Sequence, residues 1–157
     1  MKEIICSGKR IKDGKWIEGF YVKFYSNGEA EENHMIFTIN EAEKSSQPYN
    51  VDPETVCRCT GLTDKNGRKI FEGDIVKQFA DCNESGKDLY YFYQIRWNKE
   101  YCAFDGYEIY TKETFLFPDL EDIEVVGNIY DNPELLKGVQ NDYRNKSDQA
   151  IQGITGC

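Results

Sequence analysis

The stretch TGLTDKNGRKIFEGDIVKQ, from Thr60 to Gln78, decides the fold of this chain. Strand-forming segments flank Asn66-Gly67, and Asn-Gly between such segments predicts a tight hairpin turn, because both residues tolerate the positive φ that the turn demands. Asp64 is expected to hydrogen-bond the backbone of the same turn. Gly73 permits a second sharp change of direction, and the β-branched pair Ile75-Val76 favours a strand. We therefore predict three short strands joined by two tight corners.

The glycines and acids of this stretch are interpreted as structural. A phosphate-binding loop would place its glycines at the start of a helix, with a lysine and a hydroxyl behind them, and no such helix is predicted here. We therefore expect a turn motif and not a ligand site. Its residues are Asp64, Asn66, Gly67, Gly73 and Asp74.

Three blocks together carry a resemblance to a known family. They are VDPETV (Val51 to Val56), TGLTDKNGRKIFEGDIV (Thr60 to Val76) and VVGNIYDNPELL (Val125 to Leu136), and the opening GKRIKDGKWIEGFYV (Gly8 to Val22) fits as well. In this order they resemble the YopX family of small phage and prophage proteins, over nearly the whole chain to about Leu136.

The resemblance implies an SH3-like barrel and a role in a phage or prophage. It implies no biochemical activity, because none is established for the family. The sequence departs from the family pattern at Cys6-Ser7, where an aromatic and a basic residue are more usual, and at Cys57-Arg58-Cys59, where a glycine, a polar residue and an aromatic are usual.

The amino-terminal residues predict further strands. Lys2 to Arg10 would form the first, and from Trp16 onward apolar and polar residues alternate as in a half-buried strand. Glu18-Gly19 interrupts this alternation, so we expect an edge or a bulge there. A turn is predicted at Ser26-Asn27-Gly28, and His34 to Thr38 would form the strand that follows it.

The segments that follow are less uniform. Ile39 to Asn50 is polar and is expected to be a loop, with one helical turn from Glu41 to Lys44. Asp52 before Pro53 predicts another single turn. Gln78 to Lys87 is expected to be an exposed loop.

The second half predicts a long strand and its partners. Leu89 to Trp97 alternates most clearly, Ala103 to Tyr110 would pair with it, and Ile123 to Ile129 would be the last strand. Thr111 to Leu116 is ambiguous and fits a helical turn. Asn132-Pro133-Glu134 predicts the start of a short helix.

The predicted fold class is mainly β. It comprises a small SH3-like barrel over 51–136, an additional amino-terminal β hairpin layer over 1–50, a short carboxy-terminal helix and a flexible tail over 137–157. About five short strands from Thr60 to Tyr130 suit such a barrel. The 157 residues suffice for one ordinary core.

Composition narrows the functional classes. A net charge of -9 argues against a broad basic surface for nucleic-acid backbones. It also leaves open mimicry of DNA toward a basic host protein. We find no apolar run for a signal peptide and none approaching the ~20 residues that span a bilayer, so we expect the cytoplasm of the host cell and no membrane contact. The six cysteines are there expected to be reduced thiols.

Several residues are of types found in catalytic or metal sites, but we favour ordinary structural roles for them. His34, the single histidine, is favoured as an ordinary strand residue, since nothing near it marks a nucleophile. Cys57 and Cys59, with Cys82 and Cys102, leave a cysteine-only zinc site open but not favoured. The carboxylate clusters are favoured as solvated faces over a glycosidase or magnesium site. They are Asp119, Glu121, Asp122 and Glu124, and Glu29, Glu31 and Glu32.

A basic spot beside an aromatic residue is the best candidate for binding. Its members are Lys9, Arg10, Lys12 and Trp16, with Lys15 nearby, and they could contact RNA or single-stranded DNA by stacking and phosphate contacts. An exposed hairpin turn explains the same residues without a ligand.

We therefore expect a non-enzymatic protein that binds another protein, with nucleic acid as the second candidate partner. No catalytic residue, metal or cofactor is predicted. Unpaired edges of the amino-terminal strands also predict self-association by β pairing between copies.

Overall fold

A computed structural model describes residues 4–25, 32–40, 45–82, 86–117 and 122–137. The chain divides into two compact units, and each unit is built from two separate segments of the chain. The first comprises Met1–Thr63 and Lys69–Glu72, and the second comprises Asp64–Arg68 and Gly73–Cys157.

The first unit is built on a six-stranded antiparallel sheet in the order β4-β3-β2-β1-β5-β6. A 3₁₀ helix at Pro53–Thr55 precedes β5, and the Asp52 side chain accepts a hydrogen bond from Glu54 N, as the sequence predicts. The strands are β1 Cys6–Lys9, β2 Trp16–Tyr25, β3 Glu32–Asn40, β4 Ser45–Asn50, β5 Cys57–Thr63 and β6 Lys69–Phe71.

The second unit holds a five-stranded antiparallel sheet in the order β10-β9-β8-β7-β11. Ile75 and Val76, adjacent on β7, are both fully buried. Because neighbouring side chains on a strand point to opposite faces, β7 is covered on both faces at this end. The strands are β7 Asp74–Cys82, β8 Asp88–Asn98, β9 Ala103–Glu108, β10 Thr114–Leu116 and β11 Glu124–Asn128.

The central stretch has the three strands and two corners that the sequence predicts, since it contains β5, β6 and the start of β7. Gly67 and Gly73 have φ values of 80° and 85°, in the left-handed region that favours glycine. The prediction of positive φ at Asn66 is wrong, because Asn66 is not among the residues with positive φ. The turn contains five residues and is organised by Asp64.

The mainly β class is confirmed, whereas the SH3-like barrel is not. Among the described residues neither sheet closes on itself. β5, expected in the barrel, pairs with β1, with Cys6 opposite Arg58 and Ser7 opposite Cys57. This pairing joins residues about fifty positions apart, and local alternation does not encode it.

Two segments expected to be irregular or helical are strands. Ser45–Asn50, within the predicted loop, is the edge strand β4 on β3, and Thr114–Leu116 is the edge strand β10 on β9. The predicted loop from Gln78 to Lys87 is shorter than expected, because β7 continues to Cys82. Edge strands pair on one side only, so they need little apolar alternation.

Further expectations are corrected or lie beyond the described residues. The bulge expected at Glu18-Gly19 does not occur toward β1, because both residues pair with β1 in continuous register. On the other side the described pairing of β2 with β3 begins only at Phe20. A 3₁₀ helix, Pro133–Lys137, stands where the short carboxy-terminal helix was predicted, and an α-helix is not confirmed. The turn at Ser26-Asn27-Gly28, the helical turn from Glu41 to Lys44 and the tail after Lys137 lie outside the described residues.

Candidate binding surfaces

The basic spot lies on the hairpin that joins β1 to β2. Lys9 and Trp16 are opposite each other in the register of these strands, and the Lys9 Nζ lies 5.4 Å from the centre of the Trp16 ring. An ammonium over an aromatic face is attracted by the ring's negative face. The sequence analysis grouped Lys9 with Trp16 in one spot, and the register of the β1–β2 hairpin explains their contact.

Arg10 lies in the same hairpin and has two partners. Its Nε donates to Asp13 Oδ1 at 2.9 Å, and its guanidinium carbon lies 5.0 Å from the centre of the Tyr49 ring. The Asp13 carboxylate therefore neutralises much of this positive charge. Tyr49 was missed by the sequence analysis, because it belongs to β4, which was expected to be a loop.

Lys12 completes the predicted site and is exposed. The structure thus places Lys9 against Trp16 and Arg10 against Tyr49, and leaves Lys12 at the hairpin tip. We call these two cation–aromatic pairs the basic hairpin surface.

The turn motif is held by the Asp64 carboxylate. Its Oδ1 accepts hydrogen bonds from Asn66 N at 2.8 Å and Arg68 N at 2.9 Å, and its Oδ2 accepts from Val125 N at 3.1 Å. Burial alone would raise the pKa of Asp64, yet the three backbone N–H groups stabilise the ionised form and hold its pKa below the usual range. These backbone contacts account for both carboxylate oxygens, as expected for a structural residue.

Gly73 forms the second corner. Its N–H donates to the Ile95 carbonyl at 2.8 Å, and its carbonyl accepts from Ile129 N at 2.9 Å. Asp74 follows as the first residue of β7 and is buried.

The described residues contain no group of three or more histidine, cysteine or acidic side chains that could hold a metal ion. Cys57 is buried and Cys59 half-buried, while Cys82 and Cys102 are exposed. Glu124, from one carboxylate cluster, lies 2.7 Å from Lys65 and 3.4 Å from Lys77. Asp119, Glu121, Glu29 and Glu31 lie outside the described residues.

His34 belongs to a chain of polar contacts that the sequence analysis missed. Its Nδ1 lies 2.5 Å from the Tyr21 hydroxyl, and its Nε2 lies 3.6 Å from Glu32 Oε2. Glu32 also binds Lys23 Nζ at 2.7 Å and accepts from the Tyr25 hydroxyl at 2.9 Å. The hydrogen bond from Lys23, with that from Tyr25, lowers the pKa of Glu32. The contacts of Tyr21 with His34 and of Glu32 with Lys23 and Tyr25 join β2 to β3, while that of His34 with Glu32 lies within β3.

We call Phe20–Tyr25 and Glu32–Phe37 the β2–β3 ribbon. Among the described residues β1 pairs with β2 only from Trp16 to Gly19, and β4 pairs with β3 only from Met35 onward. The outer part of the ribbon is therefore two-stranded, an arrangement that is marginal without further packing.

The two faces of this ribbon differ in character. Because paired residues point to the same face, the polar chain around His34 lies on one face. Val22 and Phe24, on the other face, are 40% and 36% exposed. That second face carries no charged side chain and consists of Phe20, Val22, Phe24, Asn33, Met35 and Phe37.

A helix long and apolar enough to cross a membrane does not occur within the described ranges.

Comparison with known proteins identifies a matching family and a similar crystal structure. The family model described as YopX protein matches residues 9–137. The crystal structure of protein EF1440 from Enterococcus faecalis is similar at 20% sequence identity, covering 87% of this chain and 99% of that one, with a TM-score of 0.49. No curated protein matches the chain.

Proposed function

The chain belongs to the YopX family, and from this premise we propose that it is a non-enzymatic accessory protein of a phage or prophage that binds another protein through the β2–β3 ribbon. The observation that carries the proposal is the uncharged face on which Val22 and Phe24 are exposed. Exposed apolar surface on a sheet that lacks a neighbouring strand is typical of sites where an extended peptide adds a strand.

Several features support a binding role. The cross-strand contacts of Glu32 with Lys23 and Tyr25 join the two strands of the ribbon on its polar face. Contacts that hold the strands together before a partner arrives reduce the conformational entropy lost on binding. We further propose that the protein acts in the cytoplasm of the host cell, where a host protein is a fitting partner.

The test is affinity capture from host lysate with the wild-type chain and the variant Phe24→Ser as baits. We expect a partner that the wild type captures and the variant loses. Ile11→Ser is the matched control, because Ile11 is 68% exposed in the same unit but lies off the ribbon. Capture that is empty at every salt concentration, or equal for both baits, would contradict the proposal.

The basic hairpin surface supports a second candidate, a nucleic-acid-binding protein. Stacked cation–aromatic pairs at Lys9–Trp16 and Arg10–Tyr49 resemble the elements that bind single strands. The net charge of -9 and the Arg10–Asp13 pair weaken this candidate. A gel-shift experiment at low salt decides it, with single-stranded and duplex oligonucleotides against the wild type and Lys9→Gln. Absence of any shift ends the hypothesis.

A further inference from the structure

We propose that the outer edge of β2 is a self-association site, at which the segment Phe20–Phe24 pairs antiparallel with the same segment of a second copy of this chain. The inference rests on the proposed function, because it takes the β2–β3 ribbon as a binding surface. It identifies the binding partner as a second copy of this chain. The result is a continuous four-stranded ribbon with a two-fold axis at its centre.

The sequence of the segment is nearly palindromic. Phe20-Tyr21-Val22-Lys23-Phe24 has an aromatic residue at each end and valine in the middle. With the two-fold axis at Val22, each Phe20 lies opposite Phe24 of the other copy and the two Val22 residues meet. Aromatic and β-branched cross-strand pairs of this kind stabilise antiparallel sheets. An isologous contact requires such a self-complementary surface.

Charge favours the same arrangement. In this register Lys23 lies opposite Tyr21 of the other copy, so no like charges face each other. An axis at Lys23 would instead place two ammonium groups together, which is unfavourable. The chain carries a net charge of -9, yet the only charged residue of this segment is the cation Lys23. Two copies can therefore meet here without joining acidic surfaces.

Among the described residues no strand pairs with the outer edge of β2 beyond Gly19, and Val22, Lys23 and Phe24 are exposed. The last pair of β1 with β2 is Cys6 opposite Gly19, one residue before the segment begins. Exposed strand edges of this kind pair readily with other chains.

The symmetry axis supplies a specific test, because Val22 is the one position that meets itself. We expect the wild-type chain to form a concentration-dependent dimer in analytical ultracentrifugation. Val22→Lys and Val22→Glu each place like charges on the axis, so each variant alone should dissociate at least about tenfold more readily. An equal mixture of the two variants should recover the dimer, because lysine then meets glutamate.

Val22→Thr is the matched control, since it keeps the β-branched shape without a charge, and it should dimerise like the wild type. Recovery on mixing cannot result from misfolding of either variant, and circular dichroism of each variant alone checks its fold. A wild type that stays monomeric at all concentrations overturns the inference, as does a dimer that neither charged variant weakens or that mixing fails to restore. If the wild type is monomeric but captures a partner that the Phe24→Ser variant does not capture, the proposed function stands while this inference fails.

Discussion

Asp64 shows how much of the fold depends on a single carboxylate. It satisfies three backbone N–H groups from two different segments, Asn66 and Arg68 in its own turn and Val125 on β11. The ionised form accepts these bonds better than a neutral group does. The turn is thus ordered by side-chain acceptance and not by a positive φ at Asn66.

Replacing Asp64 with asparagine should lower the free energy of unfolding by about 1–3 kcal/mol, because a neutral amide leaves part of this buried donor set unsatisfied. The pKa of Asp64 is lowered in the folded state. Its stabilising contribution is therefore fully present above the unfolded pKa of about 3.9 and is lost as the pH falls through the lower folded value.

Urea unfolding of wild type and variant across this pH range measures the effect. The difference in free energy should be largest near neutral pH and shrink below about pH 4. Glu100→Gln serves as the control, because Glu100 is exposed and lies in the turn between β8 and β9. A difference for Asp64→Asn that does not change with pH would contradict the charge argument.

Glycine is needed at position 19 for a different reason, because β2 and β3 approach each other closely there. A Cβ at this position would overlap the carbonyl oxygen of Phe37 on β3. Gly19→Ala should therefore destabilise the protein by about 3 kcal/mol through overpacking against backbone. Gly67→Ala meets open space, and only its φ of 80° is costly, which amounts to about 1 kcal/mol. Thermal unfolding of both variants ranks them, and equal losses would show that the β2–β3 spacing relaxes.

At the scale of single residues, the sequence predicts turns well. It predicts poorly which residues that are distant in sequence come into contact. Asp64, Gly67 and Gly73 act on neighbouring backbone, and their residue types alone indicate the corners. The role of Gly19 depends on Phe37, eighteen positions away, so the sequence indicated only an interruption. The Lys9–Trp16 pair was accessible from one hairpin register, whereas the contact of Arg10 with Tyr49 required knowledge of β4.

Among the elements, the β2–β3 ribbon is joined on its polar face by side-chain contacts across the two strands. Glu32→Gln weakens the contact with Lys23 Nζ and the hydrogen bond from Tyr25. We expect faster backbone hydrogen exchange in the outer ribbon, with little change in the global unfolding transition, because local opening is governed by local contacts.

Hydrogen exchange followed by mass spectrometry measures this on peptides from β2 and β3. Glu18→Gln is the matched control in the same unit, since Glu18 pairs with Lys69 on β6, at 2.7 Å. An unchanged exchange rate in Glu32→Gln, or faster exchange throughout the first unit, would show that the polar face does not hold the ribbon.

The elements also explain which predictions failed. β8 alternates over its whole length and was found, because it is a central strand with neighbours on both sides. β4 and β10 occupy sheet edges, and their polar sequences suit that position. Pro48 on β4 argued for a loop, yet proline is tolerated on edge strands, where it need not donate to a neighbour.

For the whole molecule, the order of segments along the chain differs from their grouping into units. β5 and β6 belong with the first unit, while the turn Asp64–Arg68 between them belongs with the second. The SH3-like barrel over 51–136 is not confirmed at this scale, because β5 and β6 belong to the sheet of β1 and not to that of β7. β1 with β5 is a non-local pairing that only the folded chain reveals.

Fragments of the chain test this grouping. A fragment of residues 1–72 retains all six strands of the first sheet, so we expect it to show a β-type circular dichroism spectrum and a cooperative unfolding transition. A fragment of residues 51–136 leaves β5 without β1 but retains the whole second sheet, so it should unfold cooperatively with faster hydrogen exchange in β5 and β6. An unfolded 1–72, or exchange in β5 and β6 of 51–136 that is as slow as in the whole chain, would contradict the assignment.

The position of the Asp64–Arg68 turn has a practical consequence for labelling. A tag or fluorophore inserted at Gly67 would interrupt the β5–β6 connection and also displace the Asp64 contact with Val125, whereas one inserted at Gly14 would lengthen only an exposed hairpin tip. Reporter insertions should therefore be directed to the tip and kept away from the turn.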